Sequence, residues 1–139
     1  MEVHINLWAV LLSGVASMLI GAAYYADRVL GKQWKTLGKI DQKRFEKQMP
    51  RVMPLVFIGA LITAYVLAYI MFLYHDFFKS GWLISGLATA LIVWLGASAT
   101  SLYIHNSLDQ RPSQLTAISL GNRALSFVAM GLILGWLHP

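Results

Sequence analysis

Four stretches of this chain are long and apolar enough to cross a bilayer, and they leave little room for another architecture. They run from about Ile5 to Tyr25, Pro54 to Tyr74, Trp82 to Ile104 and Leu115 to Leu137. A spanning helix needs about 20 mainly apolar residues to cross roughly 30 Å of hydrocarbon. The first three stretches carry no Asp, Glu, Lys or Arg, and the fourth carries one, Arg123. Charged residues make up 12% of the chain, half the share of a soluble domain, which carries roughly 25%. The expected fold is therefore all-α: an antiparallel four-transmembrane-helix bundle forming a single domain over residues 1–139.

The charge that remains is concentrated. Eight of the eleven Lys and Arg residues lie between Arg28 and Arg51. The second loop offers only Lys79 and the third only Arg111. Basic loops stay on the cytoplasmic side, so both termini are expected outside and the Arg28–Arg51 loop inside. Trp8, Trp82 and Trp136 then fall at one interface, and Tyr24, Tyr25, Trp34 and Tyr103 at the other. The leader of the first span has no Lys or Arg, and the positive charge follows it. That is the reverse of a signal peptide, so a retained helix is expected. Leu30, Trp34 and Leu37 recur at helical spacing among lysines, and Phe45, Met49 and Val52 form a second stripe. These stripes predict a segment lying flat on the anionic inner leaflet. No folded reader motif accompanies the charge, so nucleic acid is not an expected partner.

An internal repeat is visible. Ser13-Gly-Val-Ala-Ser-Met-Leu-Ile20 matches Ser85-Gly-Leu-Ala-Thr-Ala-Leu-Ile92 at five of eight positions. A weaker correspondence links Gly59 with Gly121. Two helical hairpins related by an axis along the membrane normal would carry such a pattern. Small residues recur every four positions: Ala9, Ser13, Ser17 and Gly21 in the first span, Gly81, Ser85 and Thr89 in the third. Ala60, Ala64 and Ala68 do so in the second, and Gly131 and Gly135 in the fourth. Such faces let backbones approach and let hydroxyls bond across the gap. They predict central first and third helices, and they offer surfaces for a homodimer or a narrow polar path.

Few residues can carry chemistry. Arg123 lies within the fourth span beside Asn122, and a charge there needs a partner, a route to the headgroups or an aqueous cavity. Asp27 and Asp109 are the candidate acidic partners. With Arg123, Asn122, Ser13, Ser17, Ser85 and Thr89 are the candidate substrate or ion path. Asp109-Gln-Arg111-Pro112 closes the third loop, where Asp109 and Arg111 can pair locally. His4, His75 and His138 all fall at one face. Three imidazoles there can bind a metal, but their spacing contains no local ligand motif. With no cysteine in the chain, thiolate metal sites are excluded. No convergent acid, base and nucleophile is visible, so no cofactor is expected and an enzyme is the least supported class.

Several short motifs resemble one bacterial family. Gly21-Ala-Ala-Tyr-Tyr25, then Leu30-Gly-Lys-Gln-Trp34 and Gly38, is similar to the first hairpin of proteins grouped as domain of unknown function 1761. Asp109-Gln-Arg111-Pro112, the last span with Gly121, and Asn6 with Trp8 near the start also fit. Ser119 and Asn122 stand where that family often has Asn and Tyr, and Arg123 is not among its features. The resemblance implies a four-helix protein of the bacterial inner membrane, with no activity, substrate or cofactor attached. Three functions are compatible with these residues. They are a small-solute or ion carrier working as an oligomer, a non-catalytic assembly protein, and, with least support, a lipid-modifying enzyme.

Overall fold

The computed structural model describes residues 2–139. Its helices are α1 (Leu7–Tyr24), α2 (Gly31–Leu37), α3 (Gln42–Phe78), α4 (Trp82–Leu108) and α5 (Ser113–Trp136). All but the short α2 are long and apolar enough to span a membrane. Each spanning helix packs on the next in chain order, and α5 closes the ring against α1. The bundle is thus up-down-up-down, with the chain termini at one end and the basic segment at the other.

Polar groups and turn residues set the helix ends. Asn6 caps α1 by accepting from the Trp8 and Ala9 amides at 3.1 and 3.4 Å. Its own amide nitrogen donates to the Leu137 carbonyl at 2.8 Å, so the first and last helices are tied where the chain begins and ends. Lys79, with φ of 53°, turns the chain from α3 into α4, and Gln110, with φ of 56°, turns it from α4 into α5. Pro112 directly precedes α5, at a position where a missing amide proton is no loss.

The tightest contact is between α4 and α5. A Cβ on Gly86 would collide with the Gly131 carbonyl, and one on Gly135 would lie 2.7 Å from the Trp82 carbonyl oxygen. The two backbones meet directly, as a Gly-xxx-Gly face allows. On α1, Gly14 admits the Leu61 side chain from α3. The repeated glycines, Gly14 and Gly86, therefore each face the next span, but against a side chain in one hairpin and a backbone in the other. Gly59 and Gly121 differ more: nothing lies within 4 Å of Gly59, whereas the Tyr24 hydroxyl sits on Gly121.

Two expectations are corrected. The first and third spans are not the central pair; in the ring they lie diagonally opposite, and the diagonal in closer contact joins α3 and α5. The bulky buried side chains explain this. Leu67 and Met71 of α3 and Met130 and Leu134 of α5 fill the middle, while the small faces of α1 and α4 are spent on their ring neighbours. The basic loop also does not form one flat strip. α3 begins at Gln42 rather than at Pro54 and continues through Pro50 and Pro54. At 1.5 Å per residue its 37 residues measure about 55 Å, well beyond a bilayer's hydrocarbon core. The Asp41 carboxylate caps its start, 3.1 Å from the Lys43 amide. α2 folds back on this extension through a row of rings: Tyr25 to Trp34 at 4.9 Å and Trp34 to Phe45 at 6.0 Å. The two apolar stripes face each other because rings bury more area together than either does on a surface.

A charged lateral cleft between the helices

One stretch of α4 departs from α geometry: Trp94–Ala99 is a π-helical turn. Such turns insert an extra residue and are frequent at functional sites. The buried face of α4 runs through Ser85, Gly86, Thr89 and Ala90, then resumes at Ala99 and Asn106. The shift carries Ala97 and Ser98 to the wall of a cleft of about 490 Å³. A small-residue run, Gly96-Ala-Ser-Ala-Thr100, accommodates the wide turn, and the Thr100 hydroxyl takes up the Gly96 carbonyl at 2.8 Å.

Arg123 of α5 lies ten positions after Ser113, about 15 Å along the helix and so far inside the span. Its Nη1 donates to the Ser98 hydroxyl at 3.1 Å. Asn122 also lines the cleft, and its amide oxygen is buried with no hydrogen-bond partner. Ser17 of α1 and Ser126 of α5 add two hydroxyls. The Tyr25 hydroxyl lies beside Ser119 and Asn122. Thr63 spends its hydroxyl on the Gly59 carbonyl of its own helix at 2.9 Å, and the rest of the wall is apolar: Val56, Ala60, Val66, Val93, Phe127 and Met130. The exposed residues at the rim include Val56, Ile62 and Val66 from α3 and Ala97 from α4, so the mouth opens between these two helices. At their other end the same helices are held together by the His75 and Trp82 rings, stacked 3.6 Å apart.

No carboxylate neutralises Arg123 among the described residues. Asp27 pairs with Lys35 at 3.3 Å. Asp109 pairs with His105 at 3.2 Å and lies 3.9 Å from Arg111 Nε. The guanidinium is partnered instead by a hydroxyl from 25 residues away, which no local pattern could indicate. Of the six path candidates, Arg123, Asn122 and Ser17 line the cleft. Ser13 and Thr89 are buried between helices, their hydroxyls without partners. Ser85 is also buried, bonded to Ser80 at 2.8 Å and to the Gly81 carbonyl at 3.0 Å.

The three histidines lie toward the end that carries the termini. His75 and His138 both stack on Trp82, with ring centroids at 3.6 and 5.0 Å, and His4 packs edge-on to Phe72 at 6.4 Å. No group of three metal-capable side chains forms among the described residues. Sequence reasoning missed Ser98 and Ser126. It also missed the buried bond from Asn106 to the Thr116 hydroxyl at 3.1 Å, which staples α4 to α5 near their turn.

Four apolar spans in a closed ring, with one charged cleft in their flank, define a multi-pass α-helical membrane protein. The chain belongs to the family described as Protein of unknown function (DUF1761), whose pattern matches residues 8–135. No curated protein and no solved structure matches it.

Proposed function

We propose that this protein is a carrier subunit for a small organic anion, which it binds in the cleft at Arg123. One observation carries the reading: a guanidinium far inside a span, open to a cleft and without a carboxylate among the described residues. A charge at that depth is costly, and such residues face substrate or ion pathways. An anion would supply the missing counter-charge. The Ser98 hydroxyl holds the guanidinium across the gap, leaving its other N–H groups to bind.

The cleft is open on one flank, so a single copy cannot seal a solute from lipid. Two copies that come together across α3 and α4 once the solute is bound would close a path, and such a transient homodimer is the proposed working unit. The proposed setting is the cytoplasmic membrane of a bacterium. The basic end, with eight of the eleven Lys and Arg, faces inward against anionic headgroups, and both termini lie outside.

The test is the melting temperature of purified protein titrated with acetate, lactate, succinate, inorganic phosphate and decanoate. We expect at least one of these to stabilise the wild type and none to stabilise Arg123→Gln. Equal shifts in both proteins, or none in either, would rule the carrier reading out.

A further inference from the structure

We infer that the anion taken by this cleft is amphiphilic: a single-chain carboxylate that enters sideways from the bilayer, its head on Arg123 and its chain along the apolar wall. This rests on the anion-carrier reading above and names its substrate class.

The cleft is segregated along the helix axes. Ser98, Asn122 and Arg123 lie toward the basic end, whereas Val66, Val93, Phe127 and Met130 lie further toward the other. From Arg123 to Met130 the helix rises about 10 Å. A charged head at one end and a hydrocarbon wall at the other is the outline of an amphiphile. Only the Ser17, Thr63 and Ser126 hydroxyls interrupt that wall, with no second charge among them.

The way in has the same character. The rim residues Val56, Ile62, Val66 and Ala97 are exposed on the outside of a membrane bundle, where the surroundings are acyl chains. A ligand already in the bilayer reaches Arg123 without crossing a polar vestibule, which the described residues do not form there.

Charge balance selects the head. One guanidinium with no second cation beside it matches one negative charge, and its planar fork fits a carboxylate through two parallel hydrogen bonds. The volume of about 490 Å³ suits one chain rather than two.

The experiment is photo-crosslinking in membranes containing the full chain, with a diazirine-bearing hexadecanoate and the matching hexadecanol. Labelled positions are mapped by mass spectrometry. We expect the carboxylate to label the Val56–Val66 or Ser126–Met130 segments. Capture should fall about tenfold in Arg123→Gln, the equivalent of one lost charge-assisted hydrogen bond, and largely return in Arg123→Lys. The alcohol should be captured no better than the carboxylate is by Arg123→Gln. Val66→Trp, a rim change away from the core, should also block capture, so the result does not depend on how well the arginine variants fold. Labelling that ignores Arg123, or that maps outside the cleft, overturns the inference. So does Arg123-dependent capture of a diazirine phosphatidylglycerol in place of the single-chain acid. Should acetate or phosphate stabilise the protein through Arg123 while the acyl probe fails, the amphiphile falls and the carrier stands. Should every anion fail, both fall.

Discussion

Arg123 and Ser98, 25 residues apart in the chain, meet at 3.1 Å across the wall of the cleft. Among the described residues, the bond joins the one charge within the apolar spans to the one helical turn that departs from α geometry. Each feature accounts for the other. The wide turn presents Ser98 to the guanidinium, and the guanidinium gives the wide turn a partner across the gap. If this arrangement serves binding rather than folding, Arg123→Leu should leave the fold intact. Exchanging an unneutralised charge for an apolar residue in a membrane does not remove packing, and it relieves a desolvation cost. We expect a melting temperature at or slightly above the wild type, with anion stabilisation lost. A variant that no longer purifies as a folded protein would make Arg123 structural.

The α4–α5 seam gives a prediction about stability. Gly86 and Gly131 leave no space for a side chain, so Gly131→Leu must push the two helices apart. Overpacking of this kind typically costs about 1–3 kcal/mol. Gly59→Leu is the control, because nothing lies within 4 Å of that position. Unfolding in a graded series of denaturing detergent should separate the two variants. Equal stability would mean that the seam is not close-packed in the membrane.

A polar pair makes a smaller claim. Asn106→Leu removes the buried bond to Thr116 and should cost about 1 kcal/mol, a modest value because the unfolded chain in a membrane also finds partners. Tyr24→Phe, which loses a 2.7 Å bond to the Ile118 carbonyl, should cost about 0.5–1.5 kcal/mol. The same unfolding assay measures both. A neutral result for each would place the stability of the basic end in its ring packing instead.

That ring packing can be probed at Trp34, which sits between Tyr25 and Phe45. Trp34→Ala should loosen the segment from Arg28 to Arg51 and leave the spans unchanged. Limited proteolysis with trypsin should then cut this segment faster, by about an order of magnitude if roughly 1.4 kcal/mol of packing is lost. An unaltered cutting rate would show that the row of rings does not hold the segment.

What the sequence could and could not convey follows from the range of each signal. The four spans were legible because hydropathy is summed over some 20 residues, and Gly131 and Gly135 announced a close approach because only glycine permits one. Arg123 stood out because it is the lone charge in its span. Its partner did not, since Ser98 is an ordinary serine 25 residues away. The π turn was invisible: Trp94 to Ala99 are apolar or small whichever way they face, so a one-residue shift leaves the hydropathy profile unchanged. The extension of α3 was hidden by Pro50 and Pro54, which read as breaks locally. A long helix absorbs both while neighbouring turns hold their pattern. Which spans are central depends on where bulky side chains point. The spacing of small residues records only how closely neighbours can approach.

Attraction of anions into the cleft by Arg123 can be measured directly in this cysteine-free chain. Ala97→Cys places one thiol on the cleft wall. Purified in a neutral detergent, it would be reacted with a sulfonate-bearing and with a trimethylammonium-bearing methanethiosulfonate reagent of similar size. We expect the anionic reagent to react faster, by about tenfold for roughly 1.4 kcal/mol of local attraction, and the preference to vanish when Arg123→Gln is added. Equal rates, a cation preference, or a preference that survives the loss of Arg123 would show that Arg123 does not draw anions into the cleft.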